Sequence, residues 1–269
     1  MKNRNKLIAI CMVATVLILI AIDTILTKTD ILENSGKKQT EVHYEIADAI
    51  INGFATEKGL SLKDWPVELR ALLERNPETR DFVLNYPLKK DEETVYTLSE
   101  YSNPAEIPHF MQWDMRWGYE EYAGSIMGLS GCGPVCLSMV SIYLLNDISL
   151  DPLYIARFAE KEGYATSNNG TKWILMSEGA EKLGLESEEL PLDKNVMINA
   201  LSEGKPIICI MGAGDFTSSG HYIVLTGYSE DGFSVLDPNS SENSSKKWQY
   251  EKIEKQIRNI WAFSIKEAM

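Results

Sequence analysis

The stretch SGCGPVCLSMVSIYLL, Ser130 to Leu145, places one cysteine between two glycines and follows it with a proline. Glycine permits backbone angles and close approaches that a side chain would forbid, and proline suits the first turn of a helix, where its missing N–H would be unpaired anyway. The pattern therefore predicts a helix that begins near Cys132. Unpaired N–H groups and the positive end of the helix dipole favour a thiolate there, and the thiolate is the nucleophilic form of cysteine.

A second cysteine, Cys136, lies one helical turn further on, among Val135, Leu137 and Met139. An apolar setting of this kind is typical of a small, buried core residue. Cys132 is therefore the predicted nucleophile, and Cys136 is interpreted as part of the core.

A nucleophilic cysteine needs a base, and the chain offers three histidines, His43, His109 and His221. Only His221 follows a flexible, glycine-containing run, GAGDFTSSG, and opens a strand, HYIVLTGY. A histidine at such a strand end can present its ring to a cleft while the strand fixes its backbone. The alternative interpretation is a hydrogen-bonded structural histidine.

The group that orients the imidazole is expected on the following strand. The turn SEDG follows HYIVLTGY, so GFSVLDP returns beside it as the second arm of a hairpin and ends at Asp237. In a regular register Asp237 lies a few residues from direct opposition to His221, and a bulge or strong twist would close that gap. Asn239 is the second candidate, and Asp-Pro-Asn is also good turn chemistry.

The segments GCGPVCLSMV, GHYIVLTGY and VLDPNS occur in this order and are preceded by QWDMRW. Together they resemble the papain-fold cysteine peptidases related to the bacteriocin-leader-processing peptidases, a group described as peptidase family thirty-nine-like. The resemblance covers about Ile107 to Phe263. It implies that Cys132 attacks a peptide carbonyl, that His221 acts as general base and then as general acid, and that Asp237 orients His221.

The same resemblance implies that Gln112 donates to the oxyanion together with the backbone N–H of Cys132. In papain-like enzymes this glutamine usually lies a few residues before the cysteine, whereas here DMRWGYEEYAGSIMGLSG intervenes, so its placement depends on that loop. The expected partner is a peptide or protein substrate. Two alternatives are an amidase or endopeptidase that cuts cell-wall peptides with the same residues, and a catalytically inactive surface binding module.

The predicted fold class is α+β, a papain-like cysteine peptidase fold whose amino-terminal catalytic helix packs on a carboxyl-terminal antiparallel sheet. Two further helices are predicted over DPLYIARFAEKEG and TKWILMSEGAEKLGL, the second ending at Gly184. Strands are predicted over KPIICIM, HYIVLTGY, GFSVLDP and NIWAFSIK. Helices followed by antiparallel strands favour the α+β class.

A small helical region precedes this domain. The stretch EIADAIINGFATEKG has helical periodicity. In the next helix Asp64 is the expected cap, Pro66 lies in the first turn, and Leu69, Leu72 and Leu73 share one face. The sequence does not indicate what this region does.

The amino terminus carries an unbroken apolar run, Leu7 to Ile22, which continues through Asp23 to Leu26 and so approaches the length of about 20 residues that a bilayer requires. Lys2, Arg4 and Lys6 precede it, so the positive-inside rule predicts a single-pass protein of the cell membrane with the catalytic domain outside. A cleaved signal peptide, with secretion of the protein, is the alternative. The predicted organisation is a cytoplasmic tail (1–6), a transmembrane signal-anchor (7–26), a linker (27–43), a helical accessory region (44–104) and a papain-like cysteine peptidase domain (105–269).

The composition argues against several other functions. The formal net charge is −13, and basic residues do not cluster among aromatic ones, so nucleic acid is not an expected partner. Four cysteines are too few for a disulfide scaffold and lack the paired spacing of a structural zinc site. A metal site built from Cys132, Cys136 and His221 would lack a convincing fourth ligand, so no metal or organic cofactor is predicted.

Overall fold

The computed structural model describes residues 44–167 and 170–266. The predicted transmembrane segment (7–26) and linker (27–43) lie outside the described residues and stay predictions. Within the described part of the chain, the helices fall short of the length and apolar character needed to cross a bilayer.

The chain divides between Leu62 and Lys63 into two compact units. The first unit contains helix α1, Glu45–Lys58, at the position predicted from its periodicity. The helix ends at Gly59, whose φ of 69° lies in the left-handed region and whose N–H donates to the carbonyl of Ala55.

The second unit contains the two remaining helices of the predicted accessory region together with the helices of the predicted catalytic domain. These helices are α2 (Val67–Arg75), α3 (Arg80–Lys89), α4 (Met127–Ser130), α5 (Cys132–Leu145), α6 (Pro152–Lys161), α7 (Glu178–Lys182), α8 (Lys194–Ser202), α9 (Ser241–Ser244) and α10 (Tyr250–Ile253).

Helix α2 has the predicted buried face but not the predicted cap. Leu69, Leu72 and Leu73 are all buried. Asp64 lies in a 3-10 turn that precedes the helix, and Pro66 itself occupies the capping position with an extended ψ of 148°. The cap prediction was wrong because a proline at this position fixes φ for entry into the helix without any side-chain hydrogen bond.

The strands of the described chain form one large sheet and two short hairpins. The six-stranded sheet is antiparallel throughout and has the order β5-β10-β6-β7-β8-β9. The strands are β1 (Glu121–Tyr122), β2 (Ser125–Ile126), β3 (Ala165–Thr166), β4 (Gly170–Thr171), β5 (Leu185–Glu189), β6 (Ile207–Met211), β7 (His221–Ser229), β8 (Gly232–Leu236), β9 (Lys247–Trp248) and β10 (Ile257–Ile265). Strands β6, β7, β8 and β10 are those predicted from the sequence, and the α+β class is confirmed.

Apolar side chains cover both faces of the sheet. Every residue of β6 is buried, because Ile208 and Ile210 belong to the core around α5 while Ile207 and Cys209 belong to a second core that includes Met197 of α8. Successive side chains of a strand point to opposite faces, so a continuous apolar strand needs cover on each side. The result is a sheet covered on one face by helices that include α5 and on the other face by α8.

One helix prediction needs correction, and one helix was not predicted. The single helix predicted over TKWILMSEGAEKLGL is divided, because Ser177 adopts φ −110° and ψ −88° and separates a 3-10 turn (Trp173–Met176) from α7. The predicted end at Gly184 is correct, since Gly184 follows α7 with a φ of 96°, a value that favours glycine. Helix α8 was missed, although Asp193 caps it by accepting hydrogen bonds from the N–H groups of its first turn.

Candidate active site

Cys132 is the first residue of α5, as the glycine and proline pattern predicts. The flanking glycines are required by space rather than by unusual dihedral angles, since Gly131 has φ −85°. A Cβ on Gly131 would lie 2.6 Å from the carbonyl oxygen of Met127, and one on Gly133 would lie 2.8 Å from Cβ of Thr171. The start of the helix is therefore packed tightly on both sides of the partly exposed cysteine.

His221 is the first residue of β7, where it pairs with Met211 at the end of β6. Its ring is buried, and Nε2 lies 2.7 Å from Oδ1 of Asp237. The ring also lies close enough to the Cys132 thiol for each group to shift the pKa of the other. Because the carboxylate occupies Nε2, the nitrogen left for the thiol is Nδ1.

A β-bulge contributes to the approach of Asp237 to His221. Strands β7 and β8 pair with a register shift between Leu225 and Gly227. Continuing the register beyond this bulge places Asp237 opposite Ile223, one residue nearer to His221 than the register next to the turn would. Since diagonal neighbours on one face lie within reach of long side chains, the predicted gap is closed by the bulge and by the imidazole itself.

The three groups shift one another's ionisation. Burial lowers the pKa of His221, but the charge of Asp237 and its hydrogen bond outweigh this and raise that pKa to about 10. Burial opposes ionisation of Asp237 too, yet the attraction of His221 keeps the pKa of the carboxyl below its usual value. For Cys132, burial is outweighed by the hydrogen bond and charge of His221 and by the backbone N–H groups of Tyr222 and Gly133, so the thiol pKa is lowered. This pattern favours a thiolate–imidazolium pair.

The other two described cysteines behave differently. Cys136 and Cys209 are fully buried, and burial raises the pKa of each thiol. The structure thus places Cys136 in the core, as predicted.

A protein-family model matches more than half of the chain. The model of the Peptidase_C39 like family matches residues 104–269. The chain belongs to this family. Membership indicates a cysteine peptidase, and the matched residues begin one position before the predicted catalytic domain.

Two solved structures are similar to parts of the C39-like chain. One is the peptidase domain of Streptococcus ComA, described as a bi-functional ABC transporter involved in a quorum sensing pathway; the identity is 21%, the TM-score is 0.37, and the match covers 51% of this chain and 93% of that one. The other is described as a putative C39-like peptidase from Bacillus anthracis, with 16% identity, a TM-score of 0.42, and coverage of 61% and 96%. No curated protein matches the chain.

In this C39-like protein the carboxylate of Asp237 has neighbours that the sequence did not reveal. Oδ2 of Asp237 accepts a hydrogen bond from Nδ2 of Asn243 at 2.8 Å, and the backbone N–H of Asp237 donates to Oγ of Ser244 at 2.9 Å. Both partners lie in the serine-rich stretch NSSENSSKK, whose composition does not distinguish it from an ordinary surface loop. His109 contributes as well, because its Nε2 lies 2.9 Å from the carbonyl oxygen of Asp237.

Asn239, the second candidate for orienting His221, has another role. Its backbone N–H donates to Oδ1 of Asp237 at 2.8 Å, and its own carbonyl oxygen accepts from the indole N–H of Trp113. The N–H of Ser240 donates to the carbonyl of Asp237, so the Asp-Pro-Asn turn also forms. Asp237 is therefore both a turn residue and the partner of His221.

Gln112 is buried beside the segment that leads into α5. Its Nε2 donates to the carbonyl of Gly128 at 2.9 Å, and its backbone N–H donates to the carbonyl of Pro238. Its Oε1 lacks a hydrogen-bond partner among residues 44–167 and 170–266. Within those residues, the hydrogen bonds of Gln112 do not include one to Cys132. The structure therefore brings together Cys132, His221 and Asp237, whereas Gln112 is bonded to the neighbouring residues Gly128 and Pro238.

The glycine-containing run before His221 is held in place rather than loose. The side chain of Gln256 accepts from the N–H of Asp215 at 2.7 Å and donates to its carboxylate at 2.7 Å. The N–H of Gly212 donates to the carbonyl of Gln256 at 2.6 Å, and a Cβ on Gly214 would lie 2.1 Å from its Oε1. Glycine is needed here because the backbone approaches the Gln256 side chain closely. These contacts fix the run that leads to His221.

Proposed function

We propose that the protein is a thiol peptidase that hydrolyses peptide bonds through Cys132, His221 and Asp237. The observation that carries this proposal is the position of the His221 ring, which is bonded to a buried carboxylate through Nε2 and lies close enough to the thiol at the start of α5 to lower the thiol pKa. Family membership supports the reaction class. A nucleophile, a base and an orienting group in this order are the parts that acyl transfer requires.

The first half of the proposed reaction forms an acyl-enzyme. The thiolate of Cys132 attacks the carbonyl carbon, a C–S bond forms, and the carbonyl π electron pair moves to oxygen. When the tetrahedral intermediate collapses, the C–N bond breaks and the proton of the His221 imidazolium passes to the leaving amine. Asp237 remains ionised and holds the ring in place.

The second half returns the enzyme to its starting state. Neutral His221 removes a proton from a water molecule, and the resulting hydroxide attacks the thioester carbon. Collapse of the second intermediate breaks the C–S bond, releases the carboxylic acid, and leaves the thiolate beside the imidazolium. The chain's own groups provide every proton transfer in this sequence.

The oxyanion of each intermediate needs donors. We assign them to the backbone N–H of Cys132 and the side-chain amide of Gln112. A primary amide carries two N–H donors, and the carbonyl of Gly128 uses one of them. Gln112 is buried and bonds to Gly128 of α4, and this supports the assignment because α4 leads directly to Cys132.

We also propose that residues 7–26 anchor the protein in the cell membrane with the peptidase domain outside. The support is the apolar run preceded by Lys2, Arg4 and Lys6. Protease treatment of intact cells should remove the domain and leave the short amino-terminal tail protected. Survival of the domain until the cells are lysed would show the opposite orientation.

The function is tested with the full-length chain in detergent and a mixed peptide library that includes cell-wall peptides. Products are identified by mass spectrometry. Cleavage should vanish in Cys132→Ala and persist in Cys136→Ala, a matched variant that removes a buried thiol. Equal cleavage by the parent and Cys132→Ala would disprove the nucleophile, and cleavage of cell-wall peptides alone would identify the narrower substrate class. A folded parent that cleaves nothing would favour the binding module.

A further inference from the structure

The turn that supports Asp237 is itself held from outside the residues that match the family. Helix α9, Ser241–Ser244, has a single turn, and Oγ of Ser240 caps it by accepting from the N–H of Asn243 at 3.1 Å. The turn then presents Nδ2 of Asn243 to Asp237, and Oγ of Ser244 to the Asp237 N–H. The position of α9 therefore decides where the orienting carboxylate lies.

One side chain contacts the start of this turn at several points. Oε1 of Glu78 accepts from Oγ of Ser240 at 3.0 Å and from the N–H of Glu242 at 3.4 Å. Oε2 accepts from the N–H of Ser241 at 2.9 Å and also from its hydroxyl. Both oxygens of one carboxylate are thus occupied by consecutive residues of the turn.

Glu78 is fixed in turn by its own neighbours. It lies in a 3-10 turn, Pro77–Thr79, which Asn76 caps by accepting from the Glu78 N–H at 3.1 Å. The side-chain amide of Asn76 reaches across to the carbonyl of Asn239, next to the same loop. These contacts join two segments more than 160 positions apart in sequence.

The contacts require a carboxylate rather than a neutral side chain. Four donors converge on two oxygens, and hydrogen bonds to an ionised acceptor are stronger than those to a neutral one. Burial opposes ionisation, but the hydrogen bonds from Ser241 and Ser240 outweigh it and lower the pKa of Glu78. An isosteric amide at this position would direct an NH₂ group, which only donates, at donors of the turn. The turn would then be displaced.

We propose that Glu78 is a positioning residue for the catalytic triad, which acts through the Ser240–Ser244 turn to hold Asp237 against His221. The proposal rests on the proposed function for its catalytic meaning. It gives the helical region before residue 104 a role, because that region supplies the group that fixes the geometry of the site. Glu78 touches none of the three triad residues; its effect passes through Asn243 and Ser244.

The test uses alkylation of Cys132, which needs no substrate. The full-length parent, Glu78→Gln and the matched surface control Glu93→Gln are treated with iodoacetamide from about pH 5 to pH 9, and the rate at Cys132 is followed by mass spectrometry. In Glu78→Gln a less well-held Asp237 stabilises the imidazolium less, so the thiol pKa should rise. A rise of one unit lowers the rate about tenfold on the acid side of the profile. Glu93→Gln should follow the parent.

A double-mutant cycle shows whether the effect passes through the turn. Asn243→Ala should shift the profile in the same direction, and the combination with Glu78→Gln should add little, because both changes interrupt one network. Independent, multiplicative effects would overturn the proposal. So would a Glu78→Gln profile that superimposes on that of the parent, whatever the change in thermal stability.

Two further arms keep the result decisive. If Glu78→Gln is poorly folded, Ser241→Ala removes only one hydroxyl donor and should give a smaller shift in the same direction; an unchanged profile would count against the proposal. If the parent shows the reactive Cys132 but cleaves no peptide, the proposed function fails while the positioning role of Glu78 is still measured.

Discussion

Replacement of Asp237 by asparagine tests the geometry of the site most directly. The parent carboxylate accepts from His221 and the Asn239 N–H through one oxygen and from Asn243 through the other. An asparagine keeps the shape but directs an NH₂ group at one of these two sets of donors. The unpaired donors destabilise the fold by about 1–3 kcal/mol. The variant should therefore fold, with a lower melting temperature.

The catalytic effect follows from the ionisation of His221. The pKa of His221 is raised to about 10 in the folded parent, against an ordinary value of 6.5, chiefly because the charge of Asp237 outweighs burial. If removal of that charge returns the pKa to 6.5, the protonated fraction at pH 8 falls from about 99% to about 3%, roughly thirtyfold. At pH 5.5 the same calculation leaves about 90% protonated, so most of this loss disappears.

The assay is the pH dependence of kcat/KM for a peptide that the parent cleaves. We expect the alkaline limb of the profile to move from near pH 10 toward neutrality in Asp237→Asn, on top of a pH-independent loss from poorer orientation of the ring. Asp231→Asn, which removes one negative charge from the exposed turn between β7 and β8, serves as a control for net charge. An alkaline limb that stays in place would refute the ion-pair reasoning, even if activity fell.

The His221–Asp237 pair also predicts that the stability of the fold depends on pH. The folded-state pKa of His221 is raised above its unfolded value, so the stability from the pair is fully present below about pH 6.5 and is lost as the pH rises toward about 10. Near neutral pH, iodoacetamide should label Cys132 before any other described cysteine, and preferential labelling of Cys136 in the mapped peptides would contradict the site. Gln112→Ala should lower turnover by about two to three orders of magnitude while alkylation of Cys132 persists; near-normal turnover with reduced thermal stability would make Gln112 structural. Gly133→Ala should destabilise the fold by about 1–3 kcal/mol through contact with Thr171, and an unchanged denaturant midpoint would show that the helix start has room to spare.

Local patterns in the sequence predicted the parts of the site that depend on neighbouring residues. The glycines and proline around Cys132 indicated the helix start, and the apolar strands around His221 and Asp237 indicated the hairpin. The bulge was predicted as a way to close the gap, and Gly227, a glycine inside the strand, was a local signal for its position. The division of the helix at Ser177 had no such signal, because the apolar spacing continues through the break.

Contacts between distant segments were beyond prediction. Glu78 and Asn243 are ordinary polar residues in a helical region and a serine-rich loop, and only the folded chain brings them to the same network. Helix α8 is a different case. The unbroken apolar run of β6 implied cover on both faces of the sheet, and Asp193 offered a capping signal, so the sequence contained the means to predict this helix.

The bulge in the β7–β8 hairpin makes the two ends of that hairpin unequal in their tolerance of insertions and deletions. The bulge lies between the turn at Glu230 and the end that carries His221, and β7 is also held by its pairing with β6. Extra residues in the turn would lengthen a surface loop and leave the spacing of His221 and Asp237 unchanged. If Thr226 were paired with Val235, the register shift would vanish and every later pair would move by one position, which would place Asp237 opposite Val224. New chain termini or inserted peptides belong at the turn, since the bulge rather than the turn sets the distance across the active site.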